Sequence, residues 1–362
     1  MYRSKVILGV LCLTATSLLL TEHAAKSKTI STTDIQAAVI SSKFVQQSYT
    51  KYQQSYFTPA KANQLFVNSS DSTKTKIALS EAQGYGMYAT VKARNGKQVV
   101  FNKLYNYYMA HRDKNTNLMA WKQDVTSGTN YENNATDGDL YIAESLLLAG
   151  NRWHNIKYQK QAVVLLNDIL KFNYNSKTKV LTVGNWATSG KSYYLIRTSD
   201  IIPSFFADFH KSTHNSLWQT ISKNELAALS QTSNATKNGI IPDLILYQNG
   251  KATTPTIDPL DTGSDNIYSY NACRVPLNLA MTNDKLAQAV NHKFVAFLNK
   301  QHPLYAGYNI NGKIQARYTS PAFILPVEAA NHNVNKADAT IQGKQYYSDS
   351  QRMLAQFVST PK

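Results

Sequence analysis

The apolar residues of this chain recur mainly with the three- to four-residue period of an amphipathic helix. Behind the acidic stretch at 137–139, for example, Ile142, Leu146 and Ala149 lie on one face of such a helix. The same spacing recurs along most of the chain, which is therefore expected to be mainly helical. The predicted helices cover residues 31–52, 80–92, 98–111, 137–149, 158–172, 199–211, 216–230, 268–282, 285–298, 321–331 and 347–357.

Turn-rich segments separate most of these helices, as at 173–177 and 249–251. The β-like runs at 180–183 and 192–195 are short and fit hairpins that lie over a helical scaffold. No composition break or Pro- and Ser-rich linker divides the chain. The pattern therefore predicts one all-α domain over residues 26–362, and so many helices in one domain fit helix pairs stacked round an axis.

The N-terminus has the three-part layout of a secretory signal peptide. Arg3 and Lys5 precede an apolar run at 6–20, and small residues follow near Ala24. The run is short for a membrane span, so we predict a cleaved signal at 1–25, with an uncleaved anchor as the alternative. Cleavage removes Cys12 and leaves Cys273 alone, which predicts a secreted protein without an internal disulfide.

Composition excludes a disordered chain, because 43% of the 362 residues are hydrophobic and only 17% are charged. The formal net charge is +16, spread along the chain without a basic block or a recognisable nucleic-acid motif. We therefore expect no nucleic-acid partner and favour electrostatic retention on an anionic bacterial envelope. The same charge disfavours chitosan, a cationic polymer, as a substrate.

Two stretches carry candidate chemistry. Residues 80–87 read Ser-Glu-Ala-Gln-Gly-Tyr-Gly-Met, with glycines that permit close approach of another backbone or a ligand. Residues 135–139 read Ala-Thr-Asp-Gly-Asp, followed by Ile-Ala at 142–143 and a tryptophan at 153. Thr136 or Asp137 can cap the helix that follows.

Together the two stretches resemble the motifs of glycoside hydrolase family 8, a family of inverting endo-acting cellulases, chitosanases, xylanases and mixed-linkage glucanases. The resemblance runs from about residue 80 to about residue 328 and involves two long motifs in family order. It implies an (α/α)6 barrel with minor β-hairpins and a cleft at one end of the inner helices. No exact internal repeat indicates this barrel independently.

The resemblance implies that Glu81 is the general acid and that Asp137 holds and distorts the sugar beside the cleavage point. A general acid must stay protonated near neutral pH, although a helix start favours the ionised form. Burial or the charge of Asp137 must therefore raise the pKa of Glu81. Asp139 is turned roughly 200° from Asp137 on a helix, so we expect a structural role for it.

The general base is less clearly marked. An inverting enzyme needs a carboxylate about 6.5–9.5 Å from the acid to activate water. The cellulase-like branch of the family supplies it from a Tyr-Asp-Ala-x-Arg element, but here residues 270–274 read Tyr-Asn-Ala-Cys-Arg, and Asn271 cannot accept a proton. The chitosanase-like branch also has Asn there and takes its base from the preceding loop. Asp261 is the expected base, with Asp258, Asp265 or no local base as alternatives; Asp265 could instead cap the helix of Tyr270.

Substrate contacts are expected from cations, an amide and aromatic rings near the motifs. Arg197 can hold a sugar hydroxyl, and Arg274 is expected to pair with a carboxylate inside the barrel, whereas Asp200 is expected to cap a helix and Asp243 to lie in a structural turn. Sugar C–H faces stack on aromatic rings. The predicted substrate-binding residues are Tyr85, Trp121, Trp186, Tyr194, Arg197, Tyr270, Asn271 and Arg274.

No motif predicts a metal or a cofactor. The eight histidines form no His-Glu-x-x-His pattern, and no phosphate-binding glycine loop or Gly-x-Ser-x-Gly element is present. We therefore expect a secreted or cell-surface, monomeric, inverting endo-glycosidase without a cofactor that hydrolyses a β-linked polysaccharide of the glucan type. The alternatives are a non-catalytic glycan-binding protein of the same fold and a chitosanase.

Overall fold

The computed structural model describes residues 40–61, 63–256, 258–260 and 262–360. Within these ranges the chain forms eleven α-helices and a few short strands, which confirms the predicted all-α class. The helices are α1 Ser42–Tyr56, α2 Ser80–Lys92, α3 Gln98–Ala110, α4 Thr136–Arg152, α5 Ile156–Phe172, α6 Pro203–Thr213, α7 Leu217–Asn234, α8 Val275–Ala280, α9 Lys285–Leu298, α10 Pro321–Ala330 and α11 Tyr346–Ser359.

Six of the helices form a closed inner ring. Helices α2, α4, α6, α8, α10 and α11 contact one another in that order, and α11 returns to α2. Helices α1, α3, α5, α7 and α9 pack on the outside of this ring. The burial patterns agree with this arrangement, because α2 and α4 are buried on nearly every side, whereas the outer α5 buries a single stripe.

The inner helices α2 and α4 approach each other through glycines. A methyl group added to Gly84 would lie 2.7 Å from Cβ of Tyr141, and one added to Gly138 would lie 2.3 Å from Oγ of Ser80. Real side chains do not tolerate such distances, so only glycine permits this spacing. The spacing also sets the separation of Glu81 and Asp137, which lie in the first turns of these two helices.

Short antiparallel strands lead into the amino ends of the inner helices. β3 runs directly into α2, and β8 ends at Arg197, shortly before α6. The sheets pair as β1–β2, β3–β4–β5, β6–β7, β8–β9–β10 and β11–β12. The strands are β1 Phe57–Pro59, β2 Leu65–Val67, β3 Ile77–Leu79, β4 Lys122–Asp124, β5 Thr129–Asn130, β6 Tyr174–Asn175, β7 Val180–Leu181, β8 Leu195–Arg197, β9 Leu244–Gln248, β10 Lys251–Thr253, β11 Gly307–Tyr308 and β12 Ile314–Ala316.

Two predicted helices are shorter than expected. The prediction of 268–282 was wrong at its start, because the backbone of Tyr268 pairs with Tyr308 instead, with N–O distances of 2.8 and 3.2 Å. A single 3-10 turn, Ala272–Arg274, then leads into α8. The predicted helix 199–211 also started too early in the sequence. A 3-10 turn occupies Thr198–Asp200, and α6 begins at Pro203.

The predicted strand at 192–195 is mostly a 3-10 turn, Ser192–Tyr194, with β8 beginning at Leu195. Of the first predicted helix, 31–52, the part at 31–39 lies outside the described residues, and α1 begins at Ser42. The predicted signal peptide at 1–25 also lies outside them. Among the helices that the structure describes, none is both long enough and apolar enough to span a bilayer.

Candidate active site

Arg274 joins the two motif carboxylates at the amino ends of α2, α4 and α8. Its Nη1 lies 2.7 Å from Oε2 of Glu81, 3.0 Å from Oδ2 of Asp137 and 2.9 Å from the hydroxyl oxygen of Tyr85. The side chains of Arg274 and Asp137 are 5% and 7% exposed, and that of Glu81 is 16% exposed. The expectation that Arg274 pairs with a carboxylate inside the ring is confirmed, and Glu81 keeps access to solvent.

Asp137 is ionised in this arrangement. Burial alone would raise its pKa, but the guanidinium groups of Arg274 and Arg197 outweigh burial and hold the pKa of Asp137 below its usual value. The Oδ1 atom also accepts a hydrogen bond of 2.9 Å from the backbone N–H of Gly138. A fixed negative charge therefore lies beside Glu81.

Glu81 has the opposite electrostatic balance. Burial raises its pKa to about 7; Arg274 lowers it, and the neighbouring Asp137 raises it again. Glu81 thus holds its proton up to near-neutral pH although it begins a helix. The arrangement pairs a proton donor with an ionised carboxylate, as acid catalysis requires.

The predicted capping of α4 was wrong. The capping position is Ala135, which has no side chain able to accept a hydrogen bond. The hydroxyl of Thr136 donates instead to the carbonyl of Thr182 at 2.6 Å. The carboxylate of Asp137 does not cap the helix and instead accepts a hydrogen bond from Arg274.

Arg197 and Asp200 extend the charged cluster. Nη1 of Arg197 lies 3.7 Å from Oδ2 of Asp200 and 4.0 Å from Oδ1 of Asp137. Burial raises the pKa of Asp200 to about 7, partly opposed by Arg197. The capping role expected of Asp200 is wrong, because Ile202 occupies the capping position of α6. The sequence did not predict that Asp200 belongs to this charged cluster.

The contacts that Asp243 makes beside the site were also not predicted from the sequence. Its buried carboxylate accepts hydrogen bonds from the backbone N–H groups of Ser269, Asn271 and Ala272 at 2.9, 3.1 and 2.8 Å. Burial raises its pKa to about 6. The only signal in the sequence was a Pro-Asp pair in an apolar stretch, which is ordinary for a turn.

Asn271 is held from both ends of its side chain. Its Nδ2 donates to Oδ2 of Asp243 at 3.2 Å, and its Oδ1 accepts from Nη2 of Arg274 at 2.9 Å. The donor and acceptor partners fix the orientation of the amide. Asn271 therefore connects Asp243 to the cation that holds Glu81 and Asp137.

The loop carboxylates engage each other. Asp265 is buried and accepts a hydrogen bond of 2.6 Å from the N–H of Leu260, and its carboxyl group hydrogen-bonds to that of Asp258. Burial and Asp258 raise the pKa of Asp265 to about 7. Asp258 also accepts from the N–H of Gly263. Asp265 therefore stabilises its own loop. It does not cap a helix that carries Tyr270, because Tyr270 lies in a turn. Asp261 lies outside the described residues.

The predicted aromatic residues differ in exposure. Trp121, Trp186 and Tyr194 are partly exposed, and the backbone carbonyl of Trp121 accepts from the N–H of Ser80, next to Glu81, at 3.0 Å. Tyr270 is 42% exposed. Tyr85 is buried, so its ring presents no open face, and its hydroxyl instead contacts Arg274.

The remaining motif carboxylate, Asp139, is structural as expected. It is buried and accepts hydrogen bonds of 2.8 Å from the N–H of Met119 and from the amide of Asn134. Burial raises its pKa to about 8. Over the described residues, no three His, Cys, Asp or Glu side chains converge closely enough to hold a metal ion.

Comparison with known proteins identifies the family. Residues 28–361 match the family model described as glycosyl hydrolases family 8. The chain is 29% identical over 344 residues to a β-glucanase of Niallia circulans, covering 87% of this chain and 83% of the relative. It is 28% identical over 313 residues to an endoglucanase of a Bacillus species, strain KSM-330, covering 78% and 67% of the two chains.

Solved structures show the same fold. The apo structure of a β-1,3-1,4-glucanase from Paenibacillus sp. X4 aligns with a TM-score of 0.79 at 25% identity, over 88% of this chain and 91% of that one. A family 8 endoglucanase from Klebsiella pneumoniae aligns with a TM-score of 0.73 at 22% identity, over 86% and 98%. These likenesses and the closed ring of helices confirm the predicted (α/α)6 barrel. The chain belongs to the glycosyl hydrolases of family 8 and is a glycoside hydrolase.

Proposed function

We propose that this protein is a secreted, inverting endo-glycosidase that hydrolyses a β-glucan. The observation that carries the proposal is the triad of Glu81, Asp137 and Arg274, in which a protonated acid lies beside a permanently ionised carboxylate. The relatives named β-glucanase, endoglucanase and β-1,3-1,4-glucanase support a β-glucan as the substrate. No metal or cofactor is part of the proposed reaction.

The reaction follows from the charges. Glu81 gives its proton to the glycosidic oxygen as the bond from that oxygen to the anomeric carbon breaks. Asp137 hydrogen-bonds to the sugar and stabilises the positive charge that develops on its ring. A water molecule attacks the anomeric carbon from the opposite face and gives its proton to the base, which yields the inverted anomer. We propose Asp261 as this base, with Asp258 and Asp265 as alternatives.

Contacts along the polymer are assigned to the aromatic and polar groups around the triad. The partly exposed rings of Trp121, Trp186, Tyr194 and Tyr270 would stack on sugar faces. Arg197 would bind a hydroxyl while it supports Asp137. Tyr85 and Asn271 contribute indirectly, by holding Arg274.

A reducing-end assay tests the activity. The chain from residue 26 onward is incubated with mixed-linkage glucan, carboxymethyl cellulose, xylan and chitosan, and new reducing ends are measured. We expect release from mixed-linkage glucan and at least a 10³-fold loss in Glu81→Gln, because the proton donor is removed. The matched control is Glu132→Gln, since Glu132 is exposed and is not among the partners of Glu81, Asp137 or Arg274. Equal activity of the two variants would remove Glu81 from the mechanism.

Proton NMR of the first product tests inversion, and azide rescue tests the base. We expect Asp261→Ala to be nearly inactive and to regain activity with azide, whereas Asp258→Ala should lose mainly stability, because Asp258 supports Asp265. Full activity of Asp261→Ala combined with rescue of Asp265→Ala would transfer the role of base to Asp265.

A non-catalytic glycan-binding protein is the second candidate. It is favoured by one observation, namely that Asn271 stands where a catalytic aspartate occurs in the cellulase-like branch and cannot take up a proton. Saturable binding of β-glucan without release of reducing ends would support it. Chitosan cleavage is a weaker candidate, because the net charge of +16 repels a cationic polymer.

The positive charge also supports retention of a secreted, monomeric protein at an anionic cell surface. Such retention is electrostatic, so salt should release the protein from envelope fragments as the Debye length shortens to about 3 Å at 1 M. Sedimentation with envelope fragments at increasing salt concentration measures this release. Binding that persists at 1 M salt would show a specific receptor or an anchor instead.

A further inference from the structure

A second cavity lies at the other end of the barrel from Arg274. It has a volume of about 580 Å³ and is lined by the last residues of α2, α8 and α11, the start of α1, the second half of α4 and the first turns of α6. The triad lies at the amino ends of the same inner helices. Along α2, Lys92 at the cavity follows Glu81 by eleven residues, which is about 16 Å of helix. The cavity is therefore separate from the cleft.

The floor of the cavity contains a buried carboxyl group that the proposed reaction does not use. Glu144 is 4% exposed, and apart from the neighbouring carboxyl group of Asp208 its Oε2 atom has no hydrogen-bond partner among the described residues. Oγ of Ser204, in the wall of the same cavity, is likewise buried without a partner within the described part of the chain. Buried polar atoms of this kind destabilise the fold unless a bound molecule supplies the missing hydrogen bonds.

The charges around the cavity select against ionic ligands. Burial and the hydrogen-bonded carboxylate of Asp208, opposed by Lys92, raise the pKa of Glu144 to about 8. Glu144 is therefore neutral and able both to donate and to accept. Asp208, Lys92 and Arg94 lie at the exposed rim. An anion would meet Asp208 and a cation would meet Lys92 and Arg94, so a neutral ligand with hydroxyl groups fits best.

The walls supply apolar and aromatic surface. Tyr88, Phe205 and Phe357 place aromatic side chains around the cavity, and Leu148 and Met281 add aliphatic surface. A floor that hydrogen-bonds and walls that pack against C–H groups match the two kinds of surface on a sugar. The volume lies within the range of roughly 300–1,000 Å³ typical of small-molecule sites.

We propose that this cavity is a second saccharide site, which binds a neutral mono- or disaccharide through Glu144 and Ser204. The hydroxyl groups of the sugar donate to Oε2 of Glu144 and exchange hydrogen bonds with Oγ of Ser204. A short product of polysaccharide hydrolysis has the required chemistry. The site binds sugar without cleaving it, because the second carboxyl group of the cavity, Asp208, hydrogen-bonds directly to Glu144 and leaves no space for a sugar and a water molecule between the two.

Methyl NMR of methionine tests the proposal with cellobiose as the probe. The full chain carrying Glu81→Gln, which leaves the sugar intact, is labelled with [¹³C-methyl]methionine, and the signal of Met281 is assigned with Met281→Leu. We expect the Met281 signal to shift saturably with cellobiose. The apparent dissociation constant should rise at least tenfold in Glu144→Leu and in Ser204→Ala, and remain unchanged in the control Glu132→Gln.

The cleft provides a further control. Trp121→Ala should weaken binding in the cleft and leave the titration of Met281 unchanged. A parallel weakening at Met281 would show that the signal is transmitted from the cleft and would overturn the proposal. An unmoved or non-saturating Met281 signal would mean that the cavity holds only water. The Ser204→Ala arm keeps the test decisive if Glu144→Leu fails to fold.

Discussion

The chemistry proposed for this protein depends on one cation shared by two carboxyl groups in different protonation states. Arg274 contacts both Glu81 and Asp137, yet the pKa of Glu81 is raised and that of Asp137 is lowered. At Glu81, burial and the charge of Asp137 outweigh the effect of Arg274, whereas at Asp137 the two guanidinium groups of Arg274 and Arg197 together outweigh burial. A pair of acids with divergent pKa values is the usual mark of a hydrolytic site.

The pH dependence of activity should report this coupling. Glu81 must be protonated to act, so kcat/KM is expected to fall as the pH rises above about 7. In Asp137→Asn the negative neighbour is lost and Arg274 remains, so the pKa of Glu81 falls and the alkaline limb moves to lower pH by about one unit or more. A pH–rate profile of both proteins measures the shift. An alkaline limb that stays in place in Asp137→Asn would contradict the coupling.

Asp243 is expected to act as a positioning residue. In Asp243→Asn the amide cannot accept all the hydrogen bonds that Asp243 takes from residues 269–272, so Asn271 and Arg274 lose their fixed geometry. We expect kcat to fall about 10–100-fold with little change in KM, because substrate contacts remain while the acid is displaced.

The matched control is Asp284→Asn, the same chemical change at an exposed helix cap. It should leave kcat unchanged. A loss of stability in Asp243→Asn without a loss of kcat would show that Asp243 only supports the fold. Steady-state kinetics and thermal unfolding of both variants distinguish the two results.

At the scale of secondary structure, the contact between α2 and α4 brings the two motifs together. Gly138 packs against Ser80, and Gly84 packs against Tyr141. The glycines of both motifs therefore have a steric role in addition to any contact with a ligand. The distance between the helices determines the distance between Glu81 and Asp137.

Widening this contact should impair both activity and stability. In Gly138→Ala the new methyl would lie 2.6 Å from the carbonyl carbon of Ser80, so the helices must separate. We expect a loss of about 1–3 kcal/mol in the free energy of unfolding and at least a tenfold loss in kcat.

Gly150→Ala tests the same substitution in the last part of α4. There the methyl would lie 2.4 Å from Cγ of Gln159 and 3.3 Å from its backbone N, in a contact between α4 and α5. It should also cost stability, but it should leave kcat unchanged. If both variants lose kcat equally, the spacing of α2 and α4 at the site is not the cause. Chemical denaturation and kinetics on both proteins provide the comparison.

At the scale of the whole molecule, burial of many carboxyl groups is the dominant electrostatic feature. Burial raises the pKa of each above its value in the unfolded chain, so the folded protein binds more protons at neutral pH. The groups and their pKa values are Asp243 at about 6, Glu81 and Asp200 at about 7, and Asp139 and Glu144 at about 8, with Glu225 also raised.

The free energy of unfolding should therefore fall as pH rises. A raised pKa in the folded state contributes stability below the unfolded pKa, and this contribution is lost as the pH passes through the folded value. We expect lower stability at pH 9 than at pH 5, measured by urea denaturation. Glu225→Gln should flatten the dependence, because the amide oxygen can still accept from the N–H of Leu181. Stability that rises between pH 5 and pH 9 would contradict the prediction.

Local sequence was sufficient for most of the helices and for the family. The predicted helices at 80–92 and 285–298 have the observed bounds, and the second begins at a local signal, the Asp284 cap. The two long motifs identified Glu81 and Asp137, and the pairing of Arg274 with a carboxylate was predicted correctly. Hydrophobic periodicity and sequence motifs depend on residues within about fifteen positions of one another. Most predictions that used only such local signals were confirmed.

Contacts between distant residues determined the rest. Segment 268–274 has helical periodicity, yet Tyr308 and Asp243 take its backbone hydrogen bonds and hold it in another conformation. The roles of Asp200 and Asp243 depend on partners that are near in space. The proton on Glu81 depends on burial among three helices and on the charge of Asp137. Burial and charge proximity exist only after the barrel closes. The amino-acid sequence therefore predicted Glu81 as the acid, whereas the folded structure determines its pKa.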